Sequence, residues 1–257
     1  MIALQKPRRA LTCATLIAAG FVLGQATPVR AASFSVKPTQ VFLSASSRST
    51  VVTLRNDSDK PLRFQLSVMA WNQAPSGQMQ LAATEDIVFF PALLTLGKGE
   101  ERKVRVGATT TFGTTEKTYR LFVEELPALE QDGTPGAVTM LTRMGIPIFL
   151  QPAKPTARAT LRELAVRNGA ITFALYNEGT VHFLPQTIRV RGLGESGALA
   201  LDHEESGWYV LAGGYRTYEV EIPSADCARI RTITVDILVS GTTIADRLRT
   251  PAGACGR

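Results

Sequence analysis

Few residues in this chain carry a spacing that suggests chemistry. Gly192-Leu193-Gly194-Glu195-Ser196-Gly197 fits G-x-G-x-x-G, the pattern that lets a backbone turn approach a pyrophosphate. That use needs a strand before the glycines and a helix after them. Here Ala198–Leu201 reads as a returning strand, so the run is expected to be a hairpin tip. Glu195-Ser196-Gly197 lacks the glycine that a nucleophile elbow requires. Glu124 and Glu125 are adjacent carboxylates, but neighbours on a strand point to opposite faces and cannot flank one bond. His182 follows the turn-like Asn177-Glu178-Gly179-Thr180, and His203 stands beside Glu204 and Glu205; neither has the spacing of a metal ligand or a triad member. No cofactor, metal site or catalytic residue is expected, and a hydrolase would need a polar constellation that is not found.

The start of the chain reads as an export signal. Lys6, Arg8 and Arg9 form a basic start, an apolar stretch runs from Ala10 to Leu23, and Pro28-Val29-Arg30-Ala31 suits cleavage after Ala31. The apolar stretch is short for a bilayer span, which disfavours a retained anchor. Cys13 precedes most of that stretch instead of ending it, unlike a lipoprotein cysteine. The exported chain would keep Cys227 and Cys255, an even pair expected to close a disulfide in an oxidising compartment. Two free thiols or a metal site are the weaker alternatives, because no Cys-x-x-Cys spacing exists. Such a loop contributes roughly 3 kcal/mol when unstrained. Charge points the same way. Four of the 28 basic residues (Lys6, Arg8, Arg9, Arg30) lie in the first 31 residues, which hold no acidic group; the remainder carries 24 basic against 22 acidic groups. That near balance argues against nucleic acid as a partner.

The elements that would position any site are strands. With 45% hydrophobic and 19% charged residues, 21 Gly and 14 Pro, the chain is too apolar for disorder and too rich in turn formers for a helical bundle. Strands are expected at Ser49–Arg55, Leu62–Trp71, Val104–Ala108, Tyr119–Leu126 and Val138–Leu150. A second set is expected at Ala170–Tyr176, Val181–Val190, Trp208–Leu211, Tyr215–Ile222 and Ile230–Val239. Asn56–Pro61 and Gly97–Glu100 read as turns. Gln151-Pro152-Ala153-Lys154-Pro155 is a stiff connector. The expected fold is all-β: two immunoglobulin-like β-sandwich domains, 32–150 and 156–257, joined by the linker 151–155 and preceded by the cleaved signal peptide 1–31.

Five segments in order resemble the periplasmic pilus-assembly chaperones of the PapD-like family. They are Phe34–Val41, Ser49–Asn56, Pro91–Gly99 with Lys103–Val106, Tyr119–Pro127, and Ile146–Pro152. In the second half the similarity thins to Asn177-Glu178-Gly179 and Val210–Pro223. The resemblance implies a boomerang of two sandwiches in the periplasm that binds pilus (fimbrial) subunits lacking a final strand. It would lend its own last first-domain strand and pass each subunit to an outer-membrane usher, with self-capping oligomers when free. This is strand addition, of which chaperone–pilin complementation is a known instance.

The strand that would be lent carries an apolar comb: Val138, Met140, Thr142, Met144 and Ile146 alternate on one face. Packing in its own sandwich explains Met144 and Ile146 equally well, whereas Val138 and Met140, just after a polar loop, suit donation better. The family's cations for the subunit carboxylate, an Arg on the first strand and a Lys on the last, fall by ungapped matching on Gln40 and Pro147. Pro147 resembles the archaic and alternative branches. Arg143 and Lys37 are the nearest substitutes, each equally explained as surface charge. The family's interdomain ion pair places an Arg where Gln151 stands, so Glu125 is expected to lack that partner. The rival reading is a secreted structural or adhesive Ig-like surface protein, which would need no comb.

Overall fold

The computed structural model describes residues 33–129 and 140–250. Residues 1–31, Val138 and Cys255 therefore lie outside the described residues.

Ten strands form the first half: β1 (Phe34–Lys37), β2 (Val41–Leu43), β3 (Ser49–Asn56), β4 (Leu62–Gln73), β5 (Met79–Ala83), β6 (Ile87–Phe90), β7 (Leu93–Leu96), β8 (Glu101–Ala108), β9 (Lys117–Leu126) and β10 (Arg143–Leu150). They make two sheets, one ordered β1-β3-β8-β6 and one ordered β2-β10-β9-β4-β5, with β7 also paired to β4. Period-two alternation drives this arrangement. In β4, Leu62, Phe64, Leu66 and Val68 are buried while Gln65 is exposed, so one face enters the core and the other does not. Val52, Leu54, Leu121, Val123, Ile146 and Ile148 meet them in a single apolar cluster between the sheets. Asn56 fixes the exit of β3. Its buried amide donates to the carbonyls of Lys60, Leu96 and Gly97 and accepts from the Ser58 amide, tying two turns together.

The second half contains β11 (Ala159–Arg167), β12 (Ala170–Asn177), β13 (Pro185–Leu193), β14 (Leu199–Glu205), β15 (Tyr215–Glu221), a one-turn helix α1 (Ser224–Cys227), β16 (Thr232–Val239) and β17 (Thr242–Arg249). Its sheets run β11-β12-β15 and β14-β13-β16-β17 around a separate apolar cluster that includes Phe173, Leu175, Val190, Val220, Val235 and Ile237. Cys227 is buried in that cluster and is disulfide-bonded. Gly192–Gly197 closes the β13–β14 hairpin: the Gly194 amide donates to the Ala198 carbonyl, and Gly197 has a φ of +80° that a side chain would strain. The phosphate-loop pattern is therefore a turn with no helix behind it. Among the described residues no helix is long and apolar enough to cross a membrane, and no group of His, Cys, Asp and Glu could hold a metal ion.

Three strand expectations need correcting. Pairing of β10 begins at Arg143, because Met140–Thr142 lie past the end of the sandwich and are solvent-exposed. The strand expected from Val181 begins at Pro185, since the backbone of 181–183 is used on the Thr156 and Val210 carbonyls. Trp208–Leu211 is no strand. Its single bridge, Phe183 to Val210, holds a loop whose Val210 enters the second core while Tyr209 and Leu211 pack on Trp71 and Phe149 of the first half.

Candidate functional site: an open strand edge beside a buried arginine

β10 has partners of unequal length on its two sides. Antiparallel β9 pairs with all of it, from Arg143 opposite Glu124 to Leu150 opposite Lys117. On the other side β2 runs parallel and covers only Ile148–Leu150. Residues 143–147 thus have no second strand among the described residues, which leaves backbone groups able to pair with an incoming chain. The comb changes surroundings along this strand. Ile146 is buried, Met144 packs partly against the same core, and Met140 is 75% exposed. Thr142 is exposed at the boundary, where its amide donates to the Glu125 carboxylate and its carbonyl accepts from the Glu125 amide.

The opposite parity forms the outer face of the sheet. Register places Pro147 beside Arg120, Gly145 beside Phe122 and Arg143 beside Glu124, with Met69 of β4 on the far side of Arg120. Arg143 lies 4.1 Å over the Phe122 ring and 3.7 Å from the Glu124 carboxylate, half exposed. Gly145 leaves room for that ring, since a Cβ there would come within 3.1 Å of Phe122. Lys37 is exposed on β1, in the other sheet, so the structure does not bring it to Arg143. Gln40 is committed elsewhere: its side-chain amide donates to the Tyr209 hydroxyl of the second half at 2.6 Å.

Arg120 was not singled out from the sequence, and it is the most unusual cation on this face. It is only 5% exposed. Its guanidinium stacks 3.9 Å over Trp71 and lies 5.7 Å from the Tyr209 ring and 5.9 Å from the Trp208 ring. One Nη donates weakly to the Gly145 carbonyl at 3.3 Å, while Nε and the other Nη have no hydrogen-bond partner among the described residues. Burial lowers its pKa below the ordinary guanidinium value, partly opposed by the neighbouring Tyr209. Among the described residues no carboxylate forms an ion pair with it. A buried cation with two idle donors is costly unless an anion completes it. What marks it out is its cross-strand position opposite Pro147, which only the register of β9 and β10 reveals.

Aromatic packing fixes the surroundings of Arg120. Trp71, Phe149, Tyr209 and Leu211 form a small buried cluster joining the outer face of the first half to the loop 206–211 of the second. His182 stacks on Phe149 at 3.7 Å between ring centres, and both its amide and its Nδ1 meet the fully buried Glu116 carboxylate. This histidine, which the sequence placed only near a turn, pairs with a residue 66 positions earlier. Glu116 and His182 link the two halves, while Glu125 is occupied by Thr142 and Gln151 donates its amide to Leu43. The cavity of about 260 Å³ beyond Trp71, lined by Asp86, Glu116, Lys117 and Tyr119, is shallow and carries no metal-like set.

Residues 33–156 match the family profile of pili and flagellar-assembly chaperones, PapD N-terminal domain. No curated protein matches the chain by sequence. Solved structures match by fold. The CsuC–CsuE chaperone–tip adhesion subunit pre-assembly complex of archaic Csu pili from Acinetobacter baumannii aligns with TM-score 0.56 and 20% identity, covering 86% of this chain and 100% of that one. The Salmonella enterica SafA pilin in complex with the SafB chaperone aligns at 0.54 and 13%, covering 85% and 98%. The E. coli chaperone DraB aligns at 0.53 and 16%, covering 86% and 98%. Through residues 33–156 this chain belongs to the PapD N-terminal-domain family of chaperones, and as a whole it shares the two-sandwich fold of these solved structures.

Proposed function

We propose that the protein is a periplasmic, non-enzymatic chaperone for pilus subunits, which it holds by donating β10 and its N-terminal extension before delivery to an outer-membrane usher. The observation that carries this reading is the open edge of Arg143–Pro147, continuous with an apolar comb that leaves its own core at Met140. A subunit lacking its last strand exposes a groove that aggregates in water; a strand with Met140 and Val138 on one face fills it. Each such side chain contributes roughly 1.5–3 kcal/mol on burial. Residues 1–31 serve as the export signal, and Cys227 pairs with Cys255.

The anchor for the subunit's terminal carboxylate is Arg120. It lies in register beside Pro147, is buried, and has two donors to offer, whereas Arg143 is already neutralised in part by Glu124 and Lys37 stands on the other sheet. Charge-assisted bonds of this kind contribute roughly 1.5–3 kcal/mol.

The test uses parity. Met140→Asp puts a carboxylate into the groove and is expected to abolish subunit recovery in an affinity pull-down from periplasmic extract. Leu141→Asp, one residue on, points the other way and should retain most of it. Equal recovery for both variants, each folded by circular dichroism, overturns the donor-strand register.

A further inference from the structure

Trp208 belongs to the second half of the chain, yet its side chain lies against the first half's buried cation. Its backbone is pinned on both sides. Gly207 donates to the Pro185 carbonyl and sits so close to Pro185 that a Cβ would come within 2.5 Å of that ring, and Val210 exchanges two hydrogen bonds with Phe183. The indole stands edge-on to Tyr209 at 5.2 Å, and Tyr209 stands edge-on to Trp71 at 5.4 Å. Three aromatic rings thus surround one guanidinium. They differ in exposure: Trp71 and Tyr209 are buried, while Trp208 is 48% exposed.

That difference assigns a role. The idle Nε and Nη of Arg120 are sealed from water, and three rings stand around the guanidinium. Trp71 is packed between Phe149 and Tyr209, and Tyr209 is held by Gln40, whereas the half-exposed Trp208 meets Tyr209 edge-on and makes no hydrogen bond among the described residues. We propose that Trp208 is the movable cap of the Arg120 site: an arriving peptide carboxylate displaces the indole from the guanidinium, and the indole then closes on the apolar side chain of that peptide's last residue. This rests on the chaperone reading, and it makes the second half a direct contributor to subunit recognition. It also sets a specificity: chains ending in a large apolar residue with a free carboxylate are preferred over chains ending in a small or polar one. An indole face suits a cation in the free protein and an apolar side chain in the bound one.

The chain has only two tryptophans, and Trp71 is buried, so acrylamide quenching of the emission reports Trp208. The probe is an N-acetylated hexapeptide of alternating valine and threonine ending in phenylalanine, used as the free acid, as the carboxamide, and with serine in the last position. The expected result is that the acid protects the emission from acrylamide, with at least tenfold weaker half-saturation for the carboxamide and several-fold weaker for the serine peptide. In Trp208→Phe the remaining emission is expected to be insensitive to all three. A free acid that leaves quenching unchanged, or an acid and carboxamide of equal effect, overturns the cap. The subunit pull-down separates the two claims: if Met140→Asp abolishes recovery while the acid gives no protection, the chaperone reading stands and the cap falls. If protection is seen while Met140→Asp and Leu141→Asp recover subunit equally, the cap stands and the donor-strand reading falls.

Discussion

At the scale of single residues, the buried guanidinium of Arg120 dominates this molecule. Replacing it with Met keeps most of its volume and its contact with Trp71 while removing the two unpartnered donors. Because those donors are unsatisfied in the free protein, Arg120→Met is expected to leave the free chaperone as stable as wild type, or more stable by about 1 kcal/mol. Subunit binding should fall by the value of one sheltered charge-assisted pair, roughly 1.5–3 kcal/mol or about ten- to a hundredfold. Urea denaturation and pull-down recovery measure the two effects separately. A variant that loses stability but binds normally identifies Arg120 as a structural cation and removes it from the anchor. Arg143→Ala should be milder in binding, since Glu124 already shares that charge.

At the scale of elements, β10 is two strands in one. From Met144 onward its inward side chains belong to the first core, whereas Met140–Thr142 before the strand are exposed. Ile146→Ala is therefore expected to cost the free protein about 2–5 kcal/mol, whereas Met140→Ala should cost less than about 0.5 kcal/mol because Met140 touches mostly water. Equal losses in urea denaturation would make the comb ordinary core. Legibility from sequence follows the same division. β3 and β4 were readable because alternate residues enter a core, so the period of two is written into residue type. β5 is exposed at every position and β17 at most of them, so neither has an apolar face to betray it. β11 loses its period at a bulge where Glu163 takes a φ of 60°. Trp208–Leu211 mimics a strand in composition, but Trp208, Tyr209 and Leu211 serve the contact between halves. The comb was visible because it is local. Arg120 was not, because its meaning depends on a cross-strand register and on rings from nearly ninety residues later.

At the scale of the whole molecule, the question is what makes two sandwiches with separate cores behave as one body. Among the contacts that cross between them are the Trp71–Phe149–Tyr209–Leu211 cluster, the Gln40–Tyr209 bond, the Glu116–His182 pair with the Glu116 amide on the Thr180 carbonyl, and the β4–β5 turn whose Pro75 carbonyl accepts from the Thr217 amide of β15. The turn is tight enough that any side chain at Gly77 would strike the Arg216 guanidinium. Of the polar links, Glu116–His182 is the best shielded from water, and its loss is not compensated by solvent. Removing the carboxylate leaves the His182 amide without an acceptor and should weaken the junction by roughly 1.5–3 kcal/mol. Neither core is touched by that change. Scanning calorimetry of wild type is accordingly expected to show one cooperative transition, and Glu116→Ala two, with the lower-melting sandwich unfolding ahead of the other. A single transition of unchanged midpoint in Glu116→Ala would show that the aromatic cluster alone couples the halves. Coupling bears directly on binding, because Trp208 and Tyr209 reach Arg120 only while the junction holds. Glu116→Ala should therefore also raise acrylamide quenching of Trp208 in the free protein, even though Glu116 lies in no contact with that ring.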